Sequence, residues 1–264
     1  MSNDYLEINK ALWNKKTLVH VDSEFYNNPA FLDGQTSLKE IELALLGDIT
    51  GLKVLHLQCH FGQDTISLSR LGAQVTGVDF SEMAIDKAQE MNTLMKETCH
   101  FICSDVYRLP EVLNNKFDLV FTTYGTIGWL PDMKKWAGVV SHFLKPSGRL
   151  ILVDFHPALW MFDNDFTHVQ YRYFNNEPII EAEEGTYADK SASIKKTSIN
   201  WNHSFGEILS AMKINGLQLD DFQEFDYSPY PCFDHSVETE PGKHRIQHLG
   251  NKIPMCYAIT ADKK

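Results

Sequence analysis

Between residues 53 and 154 the chain alternates between short apolar runs with the composition of buried strands and longer stretches that carry apolar residues at helical spacing. Lys53-Val-Leu-His-Leu-Gln-Cys59 predicts a strand, His60-Phe61-Gly62 a turn, and the spacing of Asp64, Ile66, Leu68 and Leu71 an amphipathic helix that Gly72 stops. The unit then repeats: Gln74 to Asp79 predicts a second strand, and Ser81 an N-cap for a helix from Glu82 to about Met95. His100 to Asp105, Phe117 to Thr122 and Arg149 to Asp154 predict three more strands. A helix from about Asp132 to Leu144 and a turn at Lys145-Pro-Ser-Gly148 precede the last of them. Strands that alternate with helices pair in parallel through right-handed crossovers, which narrows the fold to an α/β class with helices on both faces of one sheet.

The flanks read differently. Tyr5 to about Leu18 and Ser37 to Leu46 carry helical spacing, with turn residues Asn27, Asn28, Pro29 and Gly34 between them. From 155 to about 200 that spacing is lost, and Tyr171-Arg-Tyr-Phe174, Ile179-Ile-Glu-Ala182 and Ile194 to Asn200 predict short antiparallel strands inserted as a cap. Ser204 to Ile214 returns to a helix, Gly216 caps it, and Leu217 to Tyr227 and Met255 to Ala261 predict two final strands of undetermined direction. One domain over residues 1–264 is expected, since 43% hydrophobic residues supply a sizeable core.

A formal charge of −11 argues against a nucleic-acid partner, which needs clustered Lys and Arg, and favours a small-molecule ligand. Residues Met1 to Lys10 lack the basic-then-apolar pattern of a signal peptide, and no later run approaches membrane-spanning length, so a cytoplasmic protein without membrane contact is expected. The cysteines Cys59, Cys99, Cys103, Cys232 and Cys256 are scattered, without a C-x-x-C pair, and reduced thiols are expected. His244 and His248 have the spacing of two metal ligands on a helix, but they sit among Pro241, Gly242 and Gly250 without an H-E-x-x-H motif. They predict solvated loop residues and no metal site.

In an open parallel sheet, ligands bind beyond the carboxyl ends of the strands, which directs attention to Cys59–Gly62, Asp79–Ser81, Ser104–Val106 and Thr122–Gly125. On these motifs together the chain resembles the class I S-adenosylmethionine-dependent methyltransferases. The resemblance implies a Rossmann-like seven-stranded, mostly parallel sheet with a helical N-terminal lid (1–50), a cofactor core (51–154), a small antiparallel β cap after strand 5 (155–200), and a final helix and two strands (201–264). It also implies S-adenosylmethionine as cofactor, S-adenosylhomocysteine as product, and in-line methyl transfer to a small-molecule acceptor.

Residue by residue, Gln58, Cys59, His60 and Gly62 align with the glycine-rich loop around the methionine part of the cofactor. His56 stands where an Asp is usual, and Gln58 and His60 where glycines are usual. Asp79 aligns with the ribose-binding carboxylate, with Phe80 beside it; Ser104, Asp105 and Val106 align with the adenine contacts; Thr123 and Tyr124 would lie beneath the sulfonium. His156, two residues past the fifth strand, is the candidate general base, because imidazole titrates near working pH, with a structural histidine at a Pro turn as the competing reading. Tyr26, Trp129, Trp160 and His203 are candidates for acceptor binding. Seven of the twenty residues from Phe155 to Phe174 are aromatic, which suits either a roof over an apolar or cationic acceptor or the cap's own core. Two rivals remain open: a non-catalytic protein that binds the same cofactor or its product, and an NAD-dependent oxidoreductase, although the latter's G-x-G-x-x-G fingerprint is missing. A monomer or homodimer is expected.

Overall fold

The computed structural model describes residues 4–264. The chain opens with α1 (Asp4–His20), α2 (Asn28–Leu32) and α3 (Glu40–Leu46), then runs through β1 (Lys53–Leu57), α4 (Gln63–Arg70), β2 (Gln74–Asp79), α5 (Glu82–Leu94), β3 (His100–Cys103), α6 (Leu109–Val112), β4 (Phe117–Thr123), α7 (Met133–Phe143) and β5 (Leu144–Phe155). It continues through β6 (Ile179–Glu184), β7 (Lys195–Asn200), α8 (Phe205–Ile214), β8 (Leu217–Phe225), β9 (Ser236–Glu240), β10 (Lys243–Ile246) and β11 (Cys256–Lys263).

Seven strands form one sheet in the order β3-β2-β1-β4-β5-β11-β8. Pairing is parallel from β3 to β5, as the alternation with helices requires, while β11 runs antiparallel to both β5 and β8. No crossover helix separates β8 from β11, so the chain returns beside β8 in the opposite direction. Both faces are buried. Leu55, Leu57, Val120, Leu150 and Leu152 face α7 and α8 in one core, and Val54, Phe121, Ile151 and Val153 face the second core with residues of α3, α4 and α5. This strand-by-strand alternation of two apolar faces is why the runs read as continuously hydrophobic.

Four expectations change. Lys145–Gly148 does not precede β5 but bulges within it: Leu144 pairs with Phe117 and Arg149 already with Leu119, so the intervening residues are extruded. Tyr171–Phe174 forms no strand, because Tyr171 N bonds Met161 O in a turn and Asn202 Nδ2 takes the Arg172 carbonyl. The cap is therefore the single hairpin β6–β7. His244 lies in the β9–β10 hairpin rather than in a loop, with Pro241-Gly242 as its turn. Asn28-Pro29 starts the short α2, capped by the Asn27 side chain, instead of only turning.

Gly77, in the middle of β2, is required by packing: a Cβ there would lie 2.9 Å from both the Phe101 ring and Thr65 Oγ1. Gly77→Ala should therefore destabilise the fold by about 1–3 kcal/mol through overpacking, read as a lowered midpoint in urea or thermal unfolding.

Candidate active site

The sheet order reverses between β1 and β4, and there the strand ends open into a cavity of about 850 Å³. Its wall is built from the loops after β1, β2, β4 and β5, from Trp13 and Lys16 of α1, and from the cap. Gln58, Cys59, His60, Gly62, Asp79, Phe80, Thr123 and Tyr124 all line it.

The loop after β1 shows how non-glycine residues occupy a glycine-rich turn. Gln58 (φ 55°), His60 (φ 50°) and Gly62 (φ 85°) are all left-handed, so the backbone takes the path that glycines favour although only the third is glycine. A left-handed residue with a Cβ costs roughly 1–2 kcal/mol, and local bonds hold each one in place. Gln58 Nε2 donates to Thr126 O at 2.7 Å, and His60 N donates to Asp79 Oδ2 at 2.9 Å. Gly62 cannot be replaced in the same way, since a Cβ would meet Ala88 and the Phe101 ring at 2.9 Å. His56, at the position where an Asp was the expectation, is buried and bonded to Thr65 Oγ1 at 2.8 Å. Burial pushes its pKa down to about 4, so it is a neutral packing group.

Asp79 ends β2 only 7% exposed. Its Oδ1 accepts Ser81 N and its Oδ2 accepts His60 N, each at 2.9 Å, and burial raises its pKa to about 6 despite these bonds. A carboxylate offers about four lone-pair sites, so two backbone amides leave capacity for hydroxyl donors from the cavity.

Residues 54–148 match the family model described as a methyltransferase domain. The segment that carries the site is thus similar to methyltransferase domains. Over 136 residues the chain is 31% identical to a demethylmenaquinone methyltransferase of Lactococcus lactis, an alignment covering 50% of this chain and 52% of that protein, so the chain spans about half the length of that curated relative. The fold is shared with a putative S-adenosylmethionine-dependent methyltransferase of Listeria monocytogenes (TM-score 0.62, 19% identity, 84% of this chain and 94% of that one). It is shared also with the geranyl diphosphate C-methyltransferase of Streptomyces coelicolor, solved with S-adenosyl-L-homocysteine (TM-score 0.56, 16% identity, 95% of this chain and 84% of that one).

Elsewhere around the strand ends the expected residues divide. Ser104 and Asp105 line a second pocket of about 290 Å³ with Leu6, Lys10 and Phe80, and Phe80 borders both spaces. Asp105 also caps the turn after β3 by accepting Tyr107 N at 3.2 Å, while Val106 is buried in the α7–α8 core and reaches neither pocket. Tyr26, Trp129, Trp160 and His203 line the large cavity. Yet both ring nitrogens of His203 are engaged, with Glu207 Oε2 at 3.1 Å and Leu130 O at 2.8 Å, so it acts as a structural strut.

The expectation that His156 emerges into the ligand space is not met. Its Nδ1 accepts Ala158 N at 3.0 Å, its Nε2 lies 2.8 Å from Glu224 Oε1, and its ring packs on Phe205 and Tyr257, outside the cavity lining. The Pro157 turn swings the side chain toward β8, where Glu224 holds it.

Several contacts that hold α1 behind the wall could not be read from sequence spacing, because their partners lie far along the chain. Asn14 of α1 accepts Ser81 Oγ at 2.6 Å and donates to Glu82 Oε2 at 3.2 Å, fastening α1 over the end of β2. Asn9 bonds both backbone groups of Ile199, so α1 also docks on β7. His20 Nδ1 sits 2.9 Å from His60 Nε2, and burial with the nearby Lys16 charge pushes His60 down to about 3 and His20 to about 2. Both are therefore neutral, and one ring donates to the other.

Asp154, at the end of β5, gathers the amides of Gly125 (2.5 Å), Thr126 (3.1 Å) and Ile127 (3.2 Å) and the Thr126 hydroxyl, which fixes the loop after β4. Asp154→Asn would set an amide NH2 against backbone donors. It is expected to cost about 2–3 kcal/mol of stability and to loosen the Gly125–Ile127 loop, seen as faster amide exchange confined to that segment.

Proposed function

We propose that this chain binds S-adenosylmethionine in the crevice beyond β1, β2 and β4 and transfers its methyl group to a small-molecule acceptor by in-line displacement. The observation that carries the reading is the left-handed backbone at positions 58, 60 and 62, anchored to the carboxylate of Asp79 one strand away. That arrangement offers a close backbone approach for the cofactor's amino-acid part and an acceptor group for its ribose at neighbouring strand ends. Gln58 Oε1 supports the fit: it is a buried acceptor without a hydrogen-bond partner, on a residue lining the cavity, as the ammonium of a bound methionine moiety would require. Asp79 takes the ribose hydroxyls, and Phe80, Ser104 and Asp105 bound the adenine side. Thr123 and Tyr124 lie under the reacting centre, with Trp129 and Trp160 toward the acceptor.

Bound there, the sulfonium supplies an electrophilic methyl group. The protein's contribution is to align the acceptor and exclude water, which supplies about 7–11 kcal/mol in favourable cases. Helix α1 serves as the lid, held by Asn9 on β7 and Asn14 on Ser81, with Trp13 packed on the His60 and Trp129 rings at 5.3 Å each. The acidic charge fits a small-molecule acceptor rather than nucleic acid. The five cysteines, all free thiols, fit a reducing compartment such as the cytoplasm.

Calorimetric titration with S-adenosylhomocysteine tests the reading. Saturable binding is expected, and Asp79→Ala should weaken it by about 10- to 100-fold through lost charge-assisted hydrogen bonds. Thermal stabilisation by NADH and not by S-adenosylhomocysteine would overturn it.

A second prediction concerns pH. The ribose hydroxyls donate to ionised Asp79, whose pKa stands at about 6, so affinity should be full above that pH and decline as pH falls through it. Asp79→Asn should flatten the profile.

A further inference from the structure

The part of the cavity wall that holds Tyr26, Tyr124, Tyr187 and Tyr230 combines aromatic rings with carboxylates. Tyr26 Oη and Tyr187 Oη are 2.5 Å apart, the Tyr124 and Tyr230 rings meet at 5.1 Å, and Phe25 packs on Tyr187 at 5.3 Å and on Tyr230 at 5.7 Å. Asp64, on the first turn of α4, lines the same space, accepts Thr123 Oγ1 at 3.2 Å, and its charge reaches Tyr26 and Tyr230. Behind the ring of Tyr124 lies Glu42, fully buried, whose Oε2 accepts the Tyr124 hydroxyl at 2.8 Å.

Counted over the described lining residues, the cavity has eight carboxylates, three lysines and no arginine. One of the lysines, Lys190, is paired with Asp234. The other two lie against rings: Lys39 Nζ is 4.8 Å from the Tyr230 ring, and Lys16 Nζ lies 5.2 Å from Trp13 and 5.6 Å from Trp129. The wall already receives cations on its aromatic faces, which is the chemistry that recognises an ammonium ligand.

We propose that the methyl acceptor is an organic amine, held as its ammonium by Asp64 and the rings of Tyr26, Tyr124 and Tyr230, and relieved of its proton through the Tyr124 hydroxyl to Glu42. This rests on the methyltransferase reading above and deepens it. The ammonium gives one proton to Tyr124 Oη as that hydroxyl passes its own to Glu42 Oε2, leaving a neutral amine and a protonated carboxyl. The nitrogen lone pair then forms the new bond to the methyl carbon while the carbon–sulfur bond breaks and its electron pair stays on sulfur. A methylated ammonium results. Burial and the Asp64 charge raise the pKa of Glu42 to about 7, against the opposing bonds from the Lys39 amide and Tyr124, so its carboxylate accepts a proton near neutrality. The left-handed Tyr124 (φ 45°) turns at the end of β4, between the Phe155 ring and Tyr230. A backbone held in that region is a common mark of a working position.

The proposal is tested on the full chain with saturating S-adenosylhomocysteine, whose own binding is measured first. Choline and its uncharged isostere 3,3-dimethylbutan-1-ol are then titrated as probes of the cage. Choline is expected to bind at least tenfold more tightly than the alcohol, and Asp64→Asn and Tyr230→Ala are each expected to lose at least tenfold of that affinity. Equal binding of the two probes, no binding of choline, or full affinity in Asp64→Asn would overturn the proposal. Absence of S-adenosylhomocysteine binding would instead overturn the underlying methyltransferase reading.

Transfer of labelled methyl from S-adenosylmethionine is measured to ethanolamine, putrescine and benzylamine, against ethylene glycol, butane-1,4-diol and benzyl alcohol, with butanoate as the anionic control. Transfer to at least one amine and to no alcohol or acid is expected; any other pattern, including transfer to none, overturns it. With the amine that reacts, Glu42→Gln and Tyr124→Phe should lower kcat at least tenfold at neutral pH. Both should regain activity as pH rises, and Glu42→Gln should leave S-adenosylhomocysteine affinity within twofold. A uniform loss at every pH would assign both residues to structure alone and overturn the relay.

Discussion

The hydrogen bond from His60 N to Asp79 Oδ2 ties the exit of β1 to the exit of β2, and most of the site depends on it. To make it, the chain must turn left-handed at Gln58 and His60, and the cost of that backbone is offset by the buried carboxylate that the turn reaches. Asp79 is in turn ionised in a site that disfavours charge, with amides from His60 and Ser81 as its compensation. The two features sustain each other. The left-handed turn orients an amide toward the carboxylate, and the carboxylate keeps residues other than glycine in a conformation they would otherwise leave.

Helix α1 completes the enclosure by bonds to the same neighbourhood. Asn14 takes the hydroxyl of Ser81, the residue after the one following Asp79, and His20 meets His60 across the turn. Helix α1 is thus fixed to the loops after β1 and β2 by polar contacts with Ser81 and His60 as well as by apolar packing. On the opposite side of the crevice Asp154 draws three consecutive amides from the loop after β4 and so determines where Tyr124, Thr126 and Trp129 stand. Carboxylates at the ends of β2 and β5 therefore shape the loops on either side of the space between them.

Charge is distributed unevenly through that space. Near α1 the histidines are held neutral by burial and by Lys16, while the end formed by α3, α4 and the tyrosines is acidic, with Glu42 held behind Tyr124. A chain with net charge −11 could have carried its acids on the surface. Placing Asp64 in the cavity wall and Glu42 just behind it sets the polarity of whatever enters.

The sequence by itself determined the order of elements and the location of the crevice. Apolar runs buried on two faces and separated by helical spacing admit few packings, so β1 to β5, Asp79, Gly62 and Thr123 could be placed from local pattern alone. Glycine and proline signals were less decisive: Lys145–Gly148 has turn composition, yet β4 pairs on both sides of it and converts it to a bulge. Tyr171–Phe174 has strand composition, yet Tyr171 N bonds Met161 O and the Arg172 carbonyl accepts from Asn202 Nδ2. Only the tertiary structure decided which polar side chains face the cavity. A strand end fixes where a residue's Cα lies, but the direction of its side chain is set by partners that sequence spacing does not reveal, as Glu224 does for His156, sixty-eight residues away. The same reason hid Glu42 and Asp64: each reads as an ordinary acid in the first turn of a helix, and only packing against Tyr124 and Thr123 at the end of β4 brings them to the site.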